Sequence, residues 1–112
     1  MKKISFDFKN RTAIVTGGAQ GFGLDISKRL LESGASVIIW DNDPKATEIA
    51  IKDLDSPNLS SYVVDVSNYG EVDKTVNEII KNSNIDILIN NAGITGPTAT
   101  LWEYDIEMWK KV

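Results

Sequence analysis

The sequence has 112 residues, 42% of them apolar and 25% charged, which suits one small soluble domain able to bury roughly two-thirds of its unfolded surface. A net charge of −4, with acids scattered along the chain, offers no basic stripe to nucleic acid and no cationic face to anionic lipid. Cysteine and histidine are both absent, which excludes disulfides, thiolate chemistry and the commonest general base and metal ligand. Asp7, Lys9 and Arg11 interrupt any apolar stretch behind Met1-Lys2-Lys3, and no run approaches membrane-spanning length, so a cytoplasmic chain is expected.

After a lead-in whose Phe6 and Phe8 can tuck against a sheet, Ala13-Ile14-Val15-Thr16 reads as a buried strand. It breaks into Gly17 to Gly23, where four of seven residues are glycine. A helix follows over Leu24 to Ser33, with an apolar stripe of Leu24, Ile26, Leu30 and Leu31 and with Gly34 at its C-cap. The helix therefore begins at the glycines. Its unpaired first-turn N–H groups and positive dipole end face the loop, an arrangement suited to a phosphate. Gly17, Gly21 and Gly23 are assigned to the tight turn, the phosphate approach and the close helix contact. No Lys followed by Ser or Thr comes after them, which rules out a nucleotide triphosphatase loop.

Val37-Ile38-Ile39-Trp40 is a continuous apolar run, a strand covered on both faces, ending at Asp41. Asp43-Pro44 supplies an N-cap with proline at the first helical position, and Ala46, Ile49, Ala50 and Leu54 form the inner stripe of that second helix. Leu59 to Val66 contains a third strand around Tyr62-Val63-Val64, ending at Asp65. Ser67 or Asn68 caps the third helix, Glu71 is placed for a capping box with Asn68, and Val72, Val76, Ile79 and Ile80 are its buried stripe. Ile85 to Ile89 is a fourth strand leading into Asn90-Asn91-Ala92-Gly93. A loop follows from Ile94 to Tyr104, and Asp105 caps a helix still running at Val112.

Four alternations of strand and helix with short connections call for an α/β fold: a doubly wound parallel sheet of order 3-2-1-4, with helices on both faces. Its switch point lies between the first and fourth strands, and the Gly loop, Asp41, Asp65 and Asn90 all fall at carboxyl ends of strands, where such sheets bind ligands. Asp41, 18 residues after Gly23, is placed to accept both ribose hydroxyls of an adenosine; capping a turn is its other reading. Asp65 can contact adenine or cap the next helix. Asn90 and Asn91 can brace strands, touch a ligand, or both. Glu32, Asp53, Asp55 and Glu78 read as solvated faces, and Trp102 and Trp109 as packing or interface residues.

These residues carry a family resemblance. Thr16-Gly17-Gly18-Ala19-Gln20-Gly21-Phe22-Gly23 resembles the T-G-x-x-x-G-x-G cofactor loop of the short-chain dehydrogenase/reductase family, and Asp65-Val66 and Asn90-Asn91-Ala92-Gly93 resemble two further motifs of it. The extended sugar-nucleotide epimerases would need glycine in place of Gln20, so the likeness is to the compact branch, which includes the 3-oxoacyl carrier-protein reductases. The resemblance implies an incomplete Rossmann-like fold, with residues 1–112 as the amino-terminal NAD-binding part of one domain. It implies that Gly17, Gly21, Phe22 and Gly23 hold the pyrophosphate, with Gln20 also among the cofactor-binding residues of the loop, that Asp65 and Val66 flank the adenine, and that Asn90, Asn91, Ala92 and Gly93 lie near the nicotinamide ribose while bracing the sheet. NAD is the expected cofactor, because the Asp41 carboxylate would repel a 2′-phosphate and no cation offsets it: Asn42 and Gln20 stand where NADP-preferring relatives commonly have basic residues.

The family's Tyr-x-x-x-Lys pair is absent: four positions after Tyr62, Tyr69 and Tyr104 stand Val66, Asp73 and Met108. No catalytic residue and no metal ligand is therefore assigned, and the 112-residue chain alone is expected to be inactive. A carbonyl or alcohol substrate and a homo-oligomer belong to a longer parent, of which this is expected to be an incomplete part because it ends in mid-helix. The apolar fourth strand, left as an edge, predicts self-association. The alternative reading is a non-catalytic dinucleotide-binding or interaction module.

Overall fold

Among residues 7–91, the ones the computed structural model describes, four strands alternate with three helices: β1 (Thr12–Thr16), α1 (Gly21–Glu32), β2 (Ser36–Asp41), α2 (Pro44–Leu54), β3 (Leu59–Val63), α3 (Tyr69–Ile80) and β4 (Ile87–Asn90). The expectations for Phe6, Ala92, Gly93, the loop to Tyr104, the helix from Asp105, and Trp102 and Trp109 lie outside the described residues. The strands form one parallel sheet in the order β3-β2-β1-β4. Alternation along the strands divides the core between two faces. Ala13, Val15, Val37 and Ile39 pack with Leu30 of α1 and with Ala46 and Ala50 of α2; Ile14, Ile38, Trp40 and Val64 pack with Ile79 of α3. β2 is buried on both faces, as its unbroken apolar run predicts.

Two strand limits differ from the sequence reading by two residues, and the others by one at most. β3 stops at Val63 because that residue is already level with Asp41, the last of β2, and Val64 adds one more bond to the Asp41 carbonyl before the chain turns. β4 begins at Ile87 instead of Ile85, because the Thr12 N–H is taken by the Asp86 carboxylate (2.9 Å) while the Asp86 N–H donates to the Thr12 carbonyl. Arg11 adds an ion pair to the same carboxylate at 3.6 Å.

Two helical stripes also need correction. Ala46, Thr47 and Ala50 are the buried residues of α2, and at 100° per residue Ile49 falls off that arc, leaving it 51% exposed. Ile80 of α3 leaves its arc in the same way, since Thr75 and Ile79 mark the buried side. The C-terminal end of α1 behaves as expected. Gly34, at φ +94°, closes α1 with the two bonds of a Schellman motif, Gly34 N–H to the Leu31 carbonyl and Ala35 N–H to the Leu30 carbonyl. Only half of the capping box at α3 forms: the Asn68 side chain accepts from the Glu71 N–H, but the Asn68 N–H donates to the Asp65 carbonyl.

Candidate functional site

The carboxyl ends of β1, β2 and β4 bring the Gly loop, Asp41 and Asn91 together. The loop starts as an extension of β1, its Gly17 N–H donating to the Trp40 carbonyl at 2.7 Å. Gly17 then takes φ +63° and Gly21 φ +55°, values that glycine adopts without strain, and between them the chain turns back to open α1. Among the described residues, a Cβ on Gly21 would meet nothing within 4 Å, so they leave the space beside this glycine open. Gly23 is the reverse case. A Cβ there would overlap the Gly17 carbonyl oxygen and lie 2.6 Å from Asn91 Nδ2, so α1 can seat against the loop only where no side chain intervenes.

Ser27, one turn along from Gly23, is fully buried and continues this close approach; its hydroxyl donates to the Gly23 carbonyl at 2.8 Å and lies 3.5 Å from that of Gly18. Sequence reasoning missed it. The available signal was its place between Gly23 and Leu30, at i+4 and i−3, on the stripe that faces the sheet.

No bond within α1 can reach the N–H groups of Gly21, Phe22 and Gly23. The first intrahelical bond runs from Leu24 N–H to the Gln20 carbonyl, and Gln20, the N-cap residue, places no side-chain bond there. The first turn also carries no acidic side chain. An anion in the open space before Gly21 would meet these donors and the positive end of the dipole.

Asp41 is buried, and both carboxylate oxygens are engaged. Oδ2 accepts from the Ala19 N–H in the Gly loop at 3.2 Å, and Oδ1 accepts from the Asp43 N–H in the turn before α2 at 3.0 Å. The turn-capping reading of Asp41 therefore holds beside the cap at Asp43: Asp43 caps Lys45 and Ala46, and Asp41 holds Asp43. A carboxylate has about four lone-pair sites, so roughly two remain for other donors.

β4 joins the rim through Thr16, whose hydroxyl donates to the Ile89 carbonyl (3.2 Å) and accepts from the Asn91 N–H (2.9 Å). Asn91 Nδ2 donates to the Gly17 carbonyl at 3.3 Å, so this side chain braces the loop. Asn90, the last residue of β4, is exposed. Asp65 and Val66 are exposed beyond β3; the Asp65 carboxylate accepts from the Ser67 N–H and hydroxyl, a local cap that leaves the group at the surface. Phe22 is 82% exposed at the mouth of the loop. Among the described residues no cluster of acidic side chains suits a metal, and no helix is long and apolar enough to cross a membrane.

With this geometry in hand, the short chain dehydrogenase family model matches residues 11–112. The chain belongs to the short chain dehydrogenase family. Its relatives there include a 2-dehydro-3-deoxy-L-rhamnonate dehydrogenase (NAD(+)) from Sphingomonas sp. (strain SKA58), 32% identical over 94% of this chain and 42% of the relative. A 3-oxoacyl-[acyl-carrier-protein] reductase of Chlamydia trachomatis is 39% identical over 92% of this chain and 43% of that one. Among solved structures, the Pseudomonas aeruginosa RhlG/NADP active-site complex superposes with a TM-score of 0.80 at 34% identity, covering 96% of this chain and 42% of that one. The chain thus spans about two-fifths of the length of these short chain dehydrogenases. One of these relatives is named for NAD(+) and another was solved with NADP, so both forms of the dinucleotide occur among the proteins this chain resembles.

Proposed function

We propose that this chain is the NAD(H)-binding part of an oxidoreductase that interconverts a carbonyl and an alcohol, and that the proton-transfer residues for this reaction belong to a longer protein. The observation that carries the reading is the pairing of an uncapped α1 N-terminus with a carboxylate at the end of β2. The N–H groups of Gly21, Phe22 and Gly23 suit the pyrophosphate, and the remaining acceptor sites of Asp41 suit the ribose hydroxyls of the adenosine. Exposed Asp65 and Val66 are available to the adenine. Asn90 and Asn91, at the end of β4, suit the nicotinamide ribose, the role that the family motif also gives to Ala92 and Gly93. The bound dinucleotide would supply the hydride; the residues of this chain hold it and orient it.

The choice of NAD rests on charge. A 2′-phosphate beside the Asp41 carboxylate puts two like charges about 4 Å apart, a repulsion of roughly 4 kcal/mol at an effective dielectric near 20. Even half of that is on the order of thirtyfold in affinity. Asn42 and Gln20 bring no cation to offset it. Parallel titration with NAD and NADP, by calorimetry or fluorescence, should find NAD tighter by about that factor, with the ratio collapsing toward unity in Asp41→Ala. Equal affinities in the unsubstituted chain, or a ratio unmoved by the substitution, would overturn the reading. The 112-residue chain should show no NADH-dependent carbonyl reduction, since it lacks the family's Tyr-x-x-x-Lys donor to a developing alkoxide.

A further inference from the structure

We propose that Asp41 is also a positioning residue for the phosphate site: its carboxylate sets the shape of the Gly loop through Ala19, and so acts on bound phosphate that it does not touch. This rests on the dinucleotide reading above and extends it from the ribose to the pyrophosphate.

The loop cannot specify its own shape. Gly17, Gly18 and Gly21 leave the backbone permissive, so its course depends on what grips it from outside. The first half is held at Gly17, which donates to the Trp40 carbonyl and accepts from Asn91 Nδ2. Past Gly18, the grip from outside α1 comes at Ala19, whose N–H donates to Asp41 Oδ2. Ala19 is 4% exposed and immediately precedes Gln20, the N-cap residue of α1. The direction in which its N–H is held therefore sets how the chain enters α1 and where the donors of Gly21, Phe22 and Gly23 point.

Asp41 is itself a fixed anchor. Its carbonyl accepts from the Val64 N–H, it closes the β2 ladder level with Val63, and its second oxygen holds Asp43, which caps α2. A carboxylate suits the position because it accepts both amides at once with sites to spare. An amide side chain offers one oxygen only. The same bond occupies the Ala19 N–H, so that group is a support for the phosphate site and not one of its donors.

The test separates contact from positioning by removing the hydroxyls that contact would need. ADP and 2′,3′-dideoxy-ADP are titrated against the 112-residue chain, Asp41→Ala and Asp41→Asn, with a thermal melt of each and hydrogen exchange at the Ala19 amide. Dideoxy-ADP has no ribose hydroxyl for the carboxylate to meet, and removing a negative charge should by itself favour a diphosphate. Positioning nevertheless predicts that Asp41→Ala binds dideoxy-ADP about fivefold more weakly and ADP more weakly still. Ala19 exchange should quicken while amides in β1 and β2 stay protected. Dideoxy-ADP affinity unchanged or improved in Asp41→Ala overturns the proposal and leaves the dinucleotide reading standing. No ADP binding by the unsubstituted chain overturns both. Should Asp41→Ala not fold, Asp41→Asn decides: one of the two terminal atoms becomes a donor, so the oxygen serves either Ala19 or Asp43. Dideoxy-ADP must weaken by about threefold where Ala19 exchange quickens and hold where it does not, and any other combination overturns the proposal.

Discussion

The N-termini of the three helices solve one physical problem in two ways. α2 and α3 satisfy their own first-turn donors: Asp43 accepts from Lys45 and Ala46, and Asn68 accepts from Glu71, with Glu71 also placing an acid in the first turn of α3. α1 has no side-chain cap and no acid there. The Asp41 side chain, at the end of the neighbouring strand, is turned to the loop backbone at Ala19. Self-capped ends carry stability, while an end left uncapped keeps its donors and its dipole for an incoming anion. Breaking or reversing these arrangements should separate effects on stability from effects on binding.

The largest effect is expected at the α1 end, from Gly23→Ala. Its Cβ would fall on the Gly17 backbone and against the Asn91 amide; that side chain can swing aside, but the Gly17 carbonyl cannot yield without moving the end of β1. Denaturant unfolding should register a loss of about 3 kcal/mol or more, and nucleotide binding should vanish with it. Gly21→Ala meets no neighbour, so it should lose only about 1–2 kcal/mol, from the left-handed backbone alone. A similar loss at both positions would mean that close approach is not what Gly23 provides.

Asp43→Ala removes a cap that serves two N–H groups and should cost about 1–2 kcal/mol in the same experiment. Dinucleotide affinity should hold, because the Asp43 backbone N–H that meets Asp41 is retained.

Gln20→Asp makes α1 resemble α2. Gln20 already has the extended backbone of an N-cap, at φ −145° and ψ 157°, so an aspartate there can accept from the first turn. Stability should rise by about 0.5–1 kcal/mol, while dinucleotide affinity falls about tenfold as the new charge opposes the pyrophosphate. A melt raised with affinity unchanged would show that the free donors of α1 are not the phosphate site. The smallest change is expected from Asn68→Ala, which removes a single exposed bond of 3.2 Å and should cost about 0.5 kcal/mol with no change in binding.

Local chemistry made much of this molecule readable from the sequence. The apolar runs at Ala13–Thr16 and Val37–Trp40, the Asp43-Pro44 helix start, the Gly34 stop and the glycine spacing each follow from backbone preference and hydrophobic period, and with them came the sheet order and the position of the Gly loop. Long-range geometry decided the rest. Ser27 lies wholly inside because α1 approaches the loop so closely at Gly23. Asp86 opens the β1–β4 pairing from 74 residues away, and Thr16 closes it at the far end by a hydroxyl that serves two backbone groups at once. Asp41 reads from sequence as a choice between a cap and a ligand contact, because spacing shows which end of a strand a carboxylate occupies but not how many groups its two oxygens can reach. Only the packed sheet brings Ala19 and Asp43 to opposite oxygens of that side chain, and so lets one residue shape the loop while keeping acceptor sites for a ligand.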